Sequence, residues 1–225
     1  MSRISLAINL LCFCTSSWGL WQATKVQLPA SLAQAGHKQF LTNLSVAATL
    51  CNNICYFIAF LPPKRITSPR LRYVARQLTL PVALVLETVV AVIYWPLRLF
   101  FLPLIMHGVK DGSRMPLSLK VDCALHLYPA LYLAADYFFA SLEPFQITKL
   151  AAWLIITALG FGYKRYLEIL IDTDAGDVYP YPFLDVAEPY RSGIFVIVTA
   201  AAWSIFCVYR KIHRGHAKVI GKKAE

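Results

Sequence analysis

Charge is what this sequence has least of. Of its 225 residues only 15% are Asp, Glu, Lys or Arg, against 58% hydrophobic, where soluble domains carry about a quarter charged residues. The shortage excludes an ordinary soluble domain, and the apolar excess excludes a disordered chain. Acidic residues are scarcer still, 12 against 22 basic, for a net charge of +10. In so apolar a chain the cations read as determinants of membrane topology, and no nucleic acid is expected as a partner. There is no internal repeat and no low-complexity tract, so residues 1–225 read as a single integral membrane domain. Cys12, Cys14, Cys51, Cys55, Cys123 and Cys207 all fall in apolar stretches without zinc spacing. They read as packing thiols, and neither metal nor cofactor is expected. No Gly-x-Ser-x-Gly elbow marks a serine hydrolase.

What the chain does have is long apolar runs. A hydrocarbon core of about 30 Å needs about 20 apolar residues in a helix. Six stretches qualify: 4–22, 38–62, 78–101, 119–141, 146–167 and 192–210. The expected fold is an all-α membrane protein with six transmembrane helices in one bundle. The first stretch follows Arg3 as a signal peptide would, but its length and a poor cleavage site near Ala23 favour an uncleaved anchor. Two basic clusters set the orientation. One is Lys64, Arg65, Arg70, Arg72 and Arg76; the other is Arg210, Lys211, Arg214, Lys218, Lys222 and Lys223. An even number of spans separates them, so the positive-inside rule puts both clusters and both termini in the cytosol. Residues 211–225 are then a basic cytosolic tail, with His213 and His216 in it. The Lys64–Arg76 segment also suits anionic headgroups. The ending Lys222-Lys223-Ala224-Glu225 resembles a dilysine retrieval signal, which points to the endoplasmic reticulum membrane.

Ionisable residues within a span are functional candidates by default. Here they are His126, Glu87, Asp122 and Asp136. The second stretch adds an ordered pattern: Thr42, Ser45, Thr49, Asn52, Asn53 and Tyr56 share about a third of the helix circumference. Lipid cannot satisfy such a face, so it must meet protein or a wet cavity. Interhelical glue and a functional site both fit the pattern. Thr42 and His126 fall at about the same depth below the outer surface, roughly 6 and 10 Å at the helical rise. A hydroxyl beside an imidazole is a nucleophile–base arrangement. On spacing alone, a threonine bonded to its own backbone and a histidine serving as an interhelical link are the commoner arrangements. Asp122 lies one turn from His126 and is placed to hold its tautomer. Asp172-x-Asp174-x-x-Asp177 lacks the full calcium-loop pattern and reads as a solvated loop. Tyr179, Tyr181 and Phe183 read as an interfacial aromatic belt.

Four local motifs carry a resemblance. They are Lys38-Gln39-Phe40-Leu41-Thr42, Leu80-Pro81-Val82, the isolated His126 with Pro129, and Tyr181-Pro182-Phe183-Leu184. In this order, and over most of its length, the chain resembles the androgen-induced and androgen-dependent tissue factor pathway inhibitor-regulating proteins. These are multi-span threonine hydrolases of fatty acid esters of hydroxy fatty acids. The resemblance implies an intramembrane lipid ester hydrolase with Thr42 as nucleophile and His126 as base. The substrate would arrive from the bilayer. Asn43, Ser45 and Glu87 are expected supporting groups, and Lys38 or His37 would hold a substrate carboxylate. The chain departs from the animal members in its basic Lys64–Arg76 loop, its acidic Asp172–Glu188 loop, its long basic tail and the closeness of Pro129 to His126. The competing expectation is a non-catalytic lipid-binding scaffold or small transporter of the same membrane.

Overall fold

The computed structural model describes residues 3–62, 68–107, 117–141 and 143–224, with side chains as far as His213. Lys64 and Arg65 of the basic loop lie outside the described residues. So do Glu225 and the side chains of Arg214, His216, Lys218, Lys222 and Lys223 in the tail.

Among the described residues the chain is helical, with no strand. Helix α1 is Arg3–Ala23, and short α2 is Ala30–Ala33. A 3-10 turn, Gly36–Gln39, leads into α3, Leu41–Phe60. Helix α4, Pro69–Tyr73, runs through a π-helical segment, Val74–Thr79, into α5, Leu80–Phe100. Then come α6, Leu119–His126, and α7, Tyr128–Ala135, which ends in a second π-helical segment, Asp136–Ala140. Last are α8, Lys149–Leu170, and α9, Tyr190–Ala224. Helices α4 and α8 start on side-chain caps. Ser68 accepts from the Arg70 amide at 3.2 Å and Thr148 from the Ala151 amide at 3.1 Å.

Among the described residues, four segments are long and apolar enough to cross a membrane: Arg3–Ala23, Leu41–Phe60, Pro69–Phe100 and Tyr190–His213. The stretch 119–141 is not one helix. Pro129 lacks an amide proton and its ring crowds the carbonyl four residues back; the helix stops at His126 and restarts at Tyr128. The stretch 146–167 becomes α8, 22 residues long, with Lys164, Arg165 and Glu168 near its end. The tail is also not separate from the last span, since α9 continues to Ala224. His213, placed in the tail by sequence, is buried against Tyr137, and its Nε2 lies 3.0 Å from the Ser141 carbonyl.

Helix α1 packs inside-out relative to a helix of a soluble bundle. Along α1, Ser5, Asn9, Cys12, Ser16 and Gly19 face inward, while Leu10, Leu11, Trp18 and Trp21 are exposed. Small residues let membrane helices approach closely. A Cβ on Gly19 would sit 3.0 Å from that of Ala124 on α6. Helix α3 packs against both α1 and α5, α1 against α6 and α7, and α8 against α9, which also packs on α5. Thr42 and His126 mark one end of this bundle. Arg76, Asp136 and Ser5 form a buried ionic cluster at the other.

Candidate active site

The polar face of α3 is buried from end to end: Thr42, Ser45, Thr49, Asn52, Asn53 and Tyr56 are each at most 8% exposed. Most of it is interhelical glue. Thr49 donates to Glu87 Oε1 at 2.8 Å, Thr79 to Asn52 Oδ1 at 2.9 Å, and Asn53 to Asn9 Oδ1 at 3.0 Å. Thr42 differs, because it lines two internal spaces.

The first space is a chamber of about 370 Å³ that Thr42 shares with His126. Its walls include His37, Asn43, Tyr94, His107, Leu125 and Tyr181. The second is a groove, enclosing about 140 Å³ and continuing into open space, between α5, α8 and α9. Thr42, Tyr94, Ile105 and Tyr181 belong to both.

The break before Pro129 positions the imidazole. His126 is the last residue of α6, and its carbonyl accepts from Trp95 Nε1 at 3.0 Å. The ring lies flat on Tyr94, with centroids 3.5 Å apart and planes within 6°. His126 Nδ1 is 3.1 Å from the Asp122 carbonyl. A carbonyl only accepts, so Nδ1 carries the proton and Nε2 keeps the lone pair. The tautomer is therefore held by the backbone of Asp122. Its carboxylate lies 3.5 Å from Nδ1 and is bonded elsewhere, accepting from the Tyr94 hydroxyl at 2.6 Å and Arg98 Nε at 2.7 Å.

The other expected site residues separate clearly. Asn43 lines the chamber and donates to the His37 carbonyl at 2.7 Å, which ties the 3-10 turn to α3. Ser45 donates to the Thr42 carbonyl at 2.9 Å and is on the wall of neither space. Glu87 lies deeper, bonded to Thr49, and is likewise on neither wall. His37 is on the chamber wall; Lys38 is exposed and is not.

Three groups of the site are not among the site residues expected from the sequence. His107, on the chamber wall, places Nε2 at 2.7 Å from the Tyr179 carbonyl. Tyr94 reaches the site through α5. Tyr181 comes from the acidic loop, and that loop corrects the aromatic-belt expectation: Tyr179 is buried and Tyr181 packs edge-on to Phe40. Arg191 pins the loop by donating to the Tyr179 hydroxyl and to the Leu184 and Val186 carbonyls. Burial pushes the Tyr181 phenol above its ordinary value, against the opposing pull of the adjacent Thr42 hydroxyl. The phenol therefore stays a donor at working pH. Asp172 Oδ1 accepts from the Asp174 and Ala175 amides, closing a turn in the same loop.

Fold and site together define a multi-span helical membrane protein with a histidine-bearing chamber at one end of its bundle. The chain belongs to the FAR-17a/AIG1-like protein family, whose model matches residues 4–214. It is 46% identical to the UPF0641 membrane protein YHR140W of Saccharomyces cerevisiae over 230 residues, covering 100% of this chain and 96% of that one. It is 26% identical to the UPF0641 membrane protein PJ4664.05 of Schizosaccharomyces pombe, covering 79% and 75% of the two chains. No solved structure matches it.

Proposed function

We propose that this membrane protein is a lipid ester hydrolase that cleaves fatty acid esters of hydroxy fatty acids, with Thr42 as nucleophile and His126 as general base. The observation that carries the reading is the chamber wall shared by a buried threonine hydroxyl and an imidazole whose Nδ1 is occupied by a carbonyl. A hydroxyl needs such a base to attack at neutral pH. Thr42 Oγ1 adds to the ester carbonyl carbon as its proton passes to His126 Nε2. The tetrahedral intermediate collapses, the ester C–O bond breaks, and the leaving alkoxide takes the proton from His126. Water, deprotonated by the same nitrogen, adds to the acyl-threonine. The Thr42 oxygen leaves and is reprotonated, and the free fatty acid departs. The Tyr181 phenol is available as a donor to the developing oxyanion, and His37 on the chamber wall is available to the substrate carboxylate.

The accompanying topology is six spans with α6–α7 as the broken fourth, both termini cytosolic, in the endoplasmic reticulum membrane. The substrate enters from the bilayer. The test is turnover of a fatty acid ester of a hydroxy fatty acid by the purified full-length protein. His126→Ala is expected to lower kcat about 10²–10⁴-fold, Thr42→Ala at least as much, and Thr42→Ser to keep part of the activity. Wild-type turnover in both alanine variants sinks the proposal and leaves a non-catalytic scaffold or transporter.

A further inference from the structure

Thr42 stands on the seam between two largely apolar spaces, of which the chamber carries histidines and the groove does not. The groove wall is apolar along its length, with Val85 and Val89 from α5, Ile156 from α8, and Val198, Ala202 and Phe206 from α9. Among the described residues, no Asp, Glu, Lys, Arg or His lines it. Apart from Thr199, midway along the α9 wall, its polar side chains are Thr42, Tyr94, Tyr163 and Tyr181 toward the Thr42 end. The chamber, by contrast, carries His37, His107, His126, Asn43 and Gln27. A substrate with one bare hydrocarbon arm and one arm ending in a carboxylate is matched by the two spaces in one sense. Leaving a carboxylate in the groove would strand a charge without a partner.

We infer that the groove is the acyl-chain site, holding the arm that is transferred to Thr42, and that the chamber holds the carboxylate-bearing leaving arm. This rests on the reading of Thr42 as nucleophile. Length supports it. From Ile194 to Phe206 the α9 wall extends about 18 Å, and from Pro81 to Tyr94 the α5 wall extends about 20 Å, at the helical rise. One leaflet of a hydrocarbon core of about 30 Å is about 15 Å deep, so the groove is long enough to hold an acyl chain that spans one leaflet. It also has a firm floor. Phe206 stacks on Phe145 with centroids 5.7 Å apart and planes within 7°, both almost wholly buried. Ile147, Ala152, Ala202 and Phe206 therefore meet the methyl end of the chain. They make the groove a gauge of acyl length, and Ala202 is the position where added bulk shortens it.

Two measurements on full-length protein in lipid nanodiscs test this. The first is photolabelling with a fatty acid carrying a terminal diazirine, the adducts being mapped by mass spectrometry. Adducts are expected in the segments 147–152 and 202–206, equally in wild type and Thr42→Ala. Adducts confined to the chamber walls or to lipid-facing residues overturn the assignment. The second is kcat/KM over esters from decanoyl to stearoyl. Ala202→Phe is expected to shift the short-to-long ratio toward short chains by about tenfold or more, on the scale of a methylene's discrimination. An unchanged profile in a folded variant overturns the gauge. Should Ala202→Phe fail to fold, the wild-type labelling still decides. The two readings fail separately: floor labelling with Thr42-independent turnover removes the nucleophile and keeps a lipid site. Thr42-dependent turnover without floor labelling removes only the acyl site.

Discussion

The two ends of the α3 polar face use the same residue types in opposite ways. At the Arg76 end every step meets another side chain: Asn53 reaches Asn9, Thr79 reaches Asn52, and Arg76 pairs with Asp136 beside Ser5. At the other end Thr42 borders a chamber and a groove. Hydroxyls and amides hold membrane helices together when protein occupies their lone pairs. The same groups become chemically available where a space opens beside them. What separates glue from site on this helix is the neighbour and not the residue.

The comparison breaks or sharpens through variants at each end. The largest effect is expected at the chamber: Thr42→Ala abolishes ester turnover while the unfolding midpoint in detergent stays near wild type. The next falls at the opposite end. Arg76→Ala leaves Asp136 buried without its cation, and loss of one partner of a buried pair costs about 3–5 kcal/mol. Thermal unfolding reads this as a large drop in midpoint, with turnover per folded molecule preserved. Tyr94→Phe keeps the ring against His126 and removes a hydrogen bond to a carboxylate still held by Arg98; a loss of about 1.5–3 kcal/mol is expected, in the same unfolding assay. Asn53→Ala should cost least, about 0.6 kcal/mol and at most about 1.7 on the scale of interhelical hydrogen bonds in membranes. A turnover defect in Arg76→Ala or Asn53→Ala that persists after correction for the folded fraction would erase the distinction between the two ends.

Much of this was legible in the sequence because membrane helices expose their periodicity. The offsets of Thr42, Ser45, Thr49, Asn52, Asn53 and Tyr56 place them on one face, and that face is buried. Depth arithmetic set Thr42 and His126 at one level, and they share a chamber wall. Pro129 was in view, but its effect, ending α6 at His126, depends on where the freed carbonyl finds Trp95. Ser45 was misjudged for a local reason: it lies on the right face, but its hydroxyl turns back to the Thr42 carbonyl. Asp122 sits one turn from His126 as expected, yet Tyr94 and Arg98 occupy its carboxylate and leave the tautomer to its backbone. Lys38 and His37 are neighbours in sequence, and the 3-10 turn sends only His37 to the chamber. Tyr181 and His107 arrive from loops, where no periodicity reports which way a side chain turns.

The central claim is that Thr42 is a nucleophile activated by His126. Labelling of the full-length protein with a fluorophosphonate, followed by peptide mapping, tests it most directly. The expected result is one covalent adduct on Thr42, lost in Thr42→Ala and strongly slowed in His126→Ala. An adduct on another residue, or undiminished ester turnover in a protein whose Thr42 never reacts, would contradict it.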